Sequence, residues 1–149
     1  MIETALGTNI AFTAPHRLAT KAGFDILEAG GSAVEAMVAA AAQIAVVYPH
    51  MNSIGGDGFW LIKKEGKDPV AISACGQAAR NASLDWYEKK GHSKTIPTRG
   101  ALAALTVPGT ISGWQLALEL DGAVSPIPLT ELLSAAINKA KTGIAVSQN

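Results

Sequence analysis

Few residues in this chain have the type and spacing to do chemistry. Cys75 closes the apolar run "PVAISAC" and is followed by Gly76. A thiol at the end of a strand can serve as a nucleophile when a neighbouring base or cation favours the thiolate. No adjacent residue offers that help, so a buried, inert cysteine is the competing reading. The histidines, His16, His50 and His92, are far apart and lack metal-ligand spacing. No Gly-x-Ser-x-Gly elbow is present for a serine nucleophile. The turn "GGDG" at residues 55–58 stands between two apolar runs. It lacks the Lys-Ser/Thr of a Walker loop. It also runs from helix to strand, the reverse of a dinucleotide fingerprint. Its glycines are expected to permit a tight backbone path rather than to cradle a phosphate. The residues alone show no catalytic constellation and no metal site.

Composition excludes several classes. The chain has 149 residues, 12 Lys plus Arg against 12 Asp plus Glu, and no formal net charge. That balance gives no footprint for nucleic acid or an anionic membrane. With 48% hydrophobic residues and a mean hydropathy of +0.23, a packed globular protein is expected. The single cysteine rules out an intrachain disulfide. The opening "MIETALGTNIAFTAPH" carries Glu3 and no basic start before an apolar core. It reads as no secretory leader and favours the cytoplasm over secretion. The apolar stretch "AMVAAAAQIAVVY", residues 36–48, is too short to span a bilayer.

The elements that must hold these residues follow from periodicity and caps. "NIAFT", residues 9–13, reads as a short strand. Pro15 suits a first helical turn, and Leu18, Ala22 and Ile26 follow at helical spacing until Gly30 and Gly31. Ser32 and Glu35 form a capping box for an alanine-rich helix that Pro49 ends near Tyr48. That helix is apolar all round, so it is expected to be central and to need partners from beyond this chain. Residues 58–64 and 69–75 read as strands of an antiparallel hairpin with "EGKD" as the turn. Ser83 caps a short helix over "SLDWYEKK", and "GHSKTIPTRG" is loop. "TVPGTISGWQLALEL" turns into a helix ending near Gly122. "PLTELLSAAINKAKTGI" reads as one amphipathic helix with Leu132, Leu133, Ala136, Ile137 and Ala140 on its apolar stripe. The chain runs out at "GIAVSQN" with no repeat or linker before it.

The order of these segments resembles the gamma-glutamyltranspeptidase family. The likeness lies in the Ala-Pro-His helix start, "AGGSAVE", the Pro-His after the alanine-rich helix, "GGDGF", "VPGTISGW" and "LLSAAINKAKTGIAVS". It implies an α/β chain that is part of a four-layer αββα N-terminal nucleophile hydrolase fold, incomplete here. Residues 1–149 are then the N-terminal segment of the large subunit, a single partial domain. The remainder of that subunit and the small subunit of the same precursor are the implied partners. A small-molecule amide is the implied substrate, with no cofactor, metal, nucleic acid or membrane. The nucleophile is a threonine at the start of the small subunit, so no residue here is catalytic and the chain alone is expected to be inactive. The family's transpeptidases carry an arginine after the second strand that grips the glutamyl α-carboxylate; Cys75 stands at that place. Cys75, Arg80 and Arg99 are the candidate substrate-binding residues, the two arginines as replacement cations. The implied activity is gamma-glutamyl amide hydrolysis or transfer, as in a glutathione hydrolase. "PTRGALAALTVPG" resembles the family's amidohydrolases and acylases, which implies instead a small acyl amide such as oxamate. A non-catalytic α/β ligand-binding domain using the glycine turn is the reading from another class.

Overall fold

The computed structural model describes residues 6–146. Glu3, on which the reading of the N-terminus leans, and the end of "GIAVSQN" lie outside the described residues. The chain forms two compact units, Met1–Ile54 with Trp114–Asn149, and Gly55–Gly113.

In the first unit, α1 (Arg17–Glu28) starts two residues after Pro15, not at it. His16 holds the N-cap in an extended conformation, and its Nδ1 accepts from the Leu18 N–H at 3.2 Å. Residues 9–13 are not a strand. They have no ladder partner among the described residues, and the chain turns back at once, with the Ala14 N–H donating to Thr20 Oγ1 at 3.1 Å. Phe12 instead lies on Gly23, where an added Cβ would come within 2.3 Å of the ring. The end of α1 is a Schellman motif. Gly30 takes φ +86°, its N–H reaches Leu27 O, and the Gly31 N–H reaches Ile26 O.

α2 (Ala33–Val47) begins with the expected capping box: Glu35 N–H to Ser32 Oγ at 3.1 Å, and Ser32 N–H to Glu35 Oε2 at 2.7 Å. Glu35 does more than cap. It is 2% exposed, and its Oε1 accepts from the Ile127 N–H at 2.7 Å. One carboxylate thus serves two backbone donors 95 positions apart in the chain (Ser32 and Ile127). Glu35→Gln would turn an amide N–H₂ against one of them. Each buried donor left unsatisfied costs about 1–3 kcal/mol, so urea unfolding of Glu35→Gln should show a loss of about 2 kcal/mol or more. Ser32→Ala should cost only about 1 kcal/mol. A loss below about 0.5 kcal/mol for Glu35→Gln would mean the bridge holds nothing.

The alanine-rich face of α2 finds partners inside this chain, contrary to the expectation that they lie beyond it. α2 packs on α1, on α6 (Ser134–Thr142) and on α5 (Leu129–Leu132), and Val34, Ala36, Val38, Ala39, Ala40, Ala42 and Val47 are buried. The expected single closing helix divides at Leu133 into α5 and α6. Leu133 keeps right-handed dihedrals, so the axis is barely interrupted. Leu132 and Ala136 are buried, but Ile137 is 43% exposed and Ala140 is exposed, so the stripe is shorter than the pattern suggested. Ile137 sits about 140° round the axis from Leu132, too far to share its face.

The second unit is built on β1 (Gly58–Ile62) and β2 (Val70–Ala74), an antiparallel hairpin in register from Gly58↔Ala74 to Ile62↔Val70. Gly66 takes φ +66° in its turn. Ile72 and Ala74 are buried on one face, while Phe59 and Leu61 on the other are 73% and 78% exposed. α3 (Leu84–Lys89) is capped by Ser83 Oγ, which accepts from the Trp86 N–H at 3.2 Å. Tyr87 OH donates to Leu102 O at 2.8 Å, beside a short 3₁₀ turn at Ala101–Ala103. α4 (Thr110–Asp121) starts in this unit and continues into the first.

Candidate substrate-binding segment

The candidate site is the stretch after β2, and neighbouring backbone holds that stretch in place. Gly76 lies so close to Val107 that an added Cβ would fall 1.4 Å from its carbonyl oxygen. Gly109 crosses Ala74 nearly as closely, with a Cβ 2.1 Å from the Ala74 carbonyl oxygen. Farther along, Val107 N–H donates to Gln77 O and Ala79 N–H to Leu105 O, both at 3.2 Å, around an antiparallel bridge Ala78↔Thr106. The polar stretch after β2 is thus paired backbone rather than loose loop.

The glycine turn plays a different part from the one expected. An added Cβ at Gly56 would meet nothing within 4 Å, and at Gly58 only ordinary contacts at 3.5 Å and beyond. Neither residue has positive φ. The crowding that glycine relieves falls on Gly76, Gly109 and Gly113 instead. What the turn supplies is acceptors. Gly56 O receives the N–H groups of Gly109 and Thr110 at 2.9 and 3.0 Å and the Thr110 hydroxyl at 2.8 Å. Asp57 O lies 3.1 Å from that hydroxyl. The first donors of α4, orphaned by helix geometry, are satisfied there. Those two N–H groups are therefore not available to cradle a phosphate. Asp57 reaches the site directly, its Oδ1 accepting from the Gly76 N–H at 3.3 Å.

Cys75 is exposed, which corrects the reading of a buried cysteine. The cause is the two-residue period of the strand: Ala74 faces inward, so Ser73 and Cys75 face out. Sγ lies 3.5 Å from Ser73 Oγ, a hydroxyl that is no base. Arg80 and Arg99 are exposed, and neither has an ion-pair partner among the described residues. No hydrogen bond or ion pair joins Cys75, Arg80 and Arg99 to one another among the described residues. The sequence reading missed Asp57, Gly76, Gly109 and Thr110 as organisers of this segment. Thr110 at a helix start was the one visible signal, but its partner lies 54 residues away. Among the described residues there is no group of three or more His, Cys, Asp or Glu side chains suited to a metal. No helix of the described residues is long and apolar enough to cross a membrane.

A mixed α/β chain with this element order matches solved amide-processing enzymes. Helicobacter pylori gamma-glutamyltranspeptidase superposes with a TM-score of 0.84 at 32% identity, over 97% of this chain and 41% of that one. The Bacillus halodurans cephalosporin acylase superposes at 0.81 and 28% identity, over 99% of this chain and 28% of that one. The class is the N-terminal nucleophile hydrolase fold, of which this chain carries a part. The gamma-glutamyltranspeptidase family model matches residues 19–149, and the chain belongs to that family. The oxamate amidohydrolase proenzyme of Klebsiella pneumoniae is 50% identical over 149 residues, 99% of this chain and 28% of that protein. The Escherichia coli glutathione hydrolase proenzyme is 33% identical over 130 residues, 87% of this chain and 22% of that protein. The chain thus spans about a quarter of the length of these relatives.

Proposed function

We propose that this chain is the leading segment of the large subunit of a self-processing amide hydrolase that acts on a small acyl amide such as oxamate. Its nucleophile is a threonine beyond residue 149. The threonine oxygen attacks the amide carbonyl while the residue's own α-amine takes the hydroxyl proton. The C–N bond then breaks, the amine or ammonia leaves with that proton, and water releases the acyl group. The remainder of the large subunit and the small subunit complete the site.

The observation that carries the acyl preference is the 50% identity to an oxamate amidohydrolase proenzyme, against 33% and 38% to two glutathione hydrolase proenzymes. Cys75 bears on the glutamyl reading alone: a neutral thiol cannot make the charge-assisted, bidentate contact that an arginine gives the glutamyl α-carboxylate. The carboxylate of oxamate, directly on the amide carbonyl, needs a cation of its own, which Cys75 does not supply. The second reading, gamma-glutamyl hydrolysis or transfer, is favoured by the unpaired arginines, either of which could supply the cation.

The test uses the full-length precursor. Intact-mass measurement should show self-cleavage to a threonine-led small subunit, with ammonia released from oxamate. Alanine at that threonine should stop both. The 149-residue chain alone should turn over neither oxamate nor a glutamyl anilide. Turnover that survives loss of the threonine and disappears with Cys75→Ala would replace this reading with a thiol enzyme.

A further inference from the structure

The first unit contains a cavity of about 450 Å³ to which the amide chemistry gives no role. Its lining includes Arg17, Lys139 and His16 together with Leu18, Val47 and Ile144, and, among the described residues, no Asp or Glu. The volume falls in the range of small-molecule sites, about 300–1,000 Å³.

The charges are unusual in placement. The chain as a whole is neutral, with 12 basic and 12 acidic residues, yet this cavity gathers cations without a counter-charge among the described residues. Neither the Arg17 guanidinium nor the Lys139 ammonium has a hydrogen-bond or ion-pair partner among the described residues. Lys139 lies in the last turn of α6, where a cation complements the helix dipole. Arg17 has no such excuse. It is the first residue of α1, and that first turn holds no acid, so a guanidinium sits at the positive end of the helix. An anion between Arg17 and Lys139 would reverse the sign of that interaction. His16 adds a donor. Its Nδ1 accepts from the Leu18 N–H, so the proton of the neutral ring is on Nε2. Its ring is held near Tyr48, with centroids 6.2 Å apart. Leu18, Val47 and Ile144 supply an apolar wall.

We propose that this cavity binds a small organic carboxylate, with its oxygens on Arg17 and Lys139 and its apolar body against Leu18, Val47 and Ile144. The proposal does not depend on which amide the enzyme cleaves.

The experiment is isothermal titration of the full-length precursor with phenylacetate, with the neutral isostere phenylacetamide and with inorganic phosphate. Phenylacetate should bind one to one, and phenylacetamide should bind at least about tenfold more weakly, since it lacks the charge. Phosphate should also be weaker, having no apolar body. Arg17→Gln and Lys139→Gln should each weaken phenylacetate by about tenfold. Their unfolding midpoints in urea should stay near that of the parent, and Arg17→Lys should recover part of the loss. Equal binding of phenylacetate and phenylacetamide would overturn the proposal. So would binding that persists in the Arg17→Gln, Lys139→Gln double variant, because that carboxylate is held elsewhere. Binding to the 149-residue chain but not to the precursor would overturn it too, by showing that downstream polypeptide fills the cavity.

Discussion

Gly76→Ala should prevent the second unit from folding cooperatively, while Gly56→Ala should leave it nearly unchanged. At Gly76 the new methyl would lie 1.4 Å from the Val107 oxygen and 2.6 Å from the Val107 nitrogen. Both are backbone atoms, so no side-chain rotation relieves the overlap. Relief means separating residues 76–79 from 105–107 and losing the Val107–Gln77 and Ala79–Leu105 hydrogen bonds. Overpacking that side chains can absorb costs about 1–3 kcal/mol, and this case should exceed the upper figure. Gly56 has open space around its Cβ position and no positive φ, so its alanine variant should shift stability by no more than about 0.5–1 kcal/mol. Hydrogen exchange at the Val70–Ala74 amides, with urea unfolding, separates the two outcomes. A folded Gly76→Ala variant within about 1 kcal/mol of the parent would mean that the close crossing does not exist.

The second large effect concerns acyl selection. In the full-length enzyme Cys75→Arg should raise kcat/KM on a glutamyl anilide by about ten- to a hundred-fold, the worth of a charge-assisted hydrogen bond of about 1.5–3 kcal/mol. The analogue without the α-carboxylate should not gain. The substitution is compatible with the fold because position 75 faces outward, beyond the buried Ala74. The paired backbone at Gly76 and the Asp57 acceptor stay in place around it. An equal gain on both substrates, or none, would remove position 75 from the acyl pocket.

Local chemistry was legible in the sequence and distant contacts were not. The Ser32–Glu35 box, the Ser83 cap, the glycine end of α1 and the β1–β2 hairpin all depend on partners within a few positions or on a simple alternation. The second bond of Glu35, to Ile127, joins residues 92 positions apart, and no local pattern announces it. The same holds for Thr110 and Gly56. The glycines illustrate the limit well. A cluster at residues 55–58 draws attention, yet in the second unit it is Gly76 and Gly109, single glycines in unremarkable surroundings, that backbone crowding requires. The exposure of Cys75 was within reach, because a strand that buries Ala74 must turn its neighbours outward. Residues 9–13 have strand-like composition but no ladder partner among the described residues, and pairing is a tertiary fact.

The proposed function has Cys75 standing where an arginine would clamp the glutamyl α-carboxylate, so that group should bring a substrate little advantage. The most direct measurement is the wild-type, full-length enzyme's kcat/KM on oxamate, on a glutamyl anilide and on the anilide lacking the α-carboxylate. Oxamate should be the best of the three, and the two anilides should differ by less than about tenfold. A preference of about a hundred-fold for the glutamyl anilide over its analogue, undiminished by Arg80→Ala and Arg99→Ala, would contradict it.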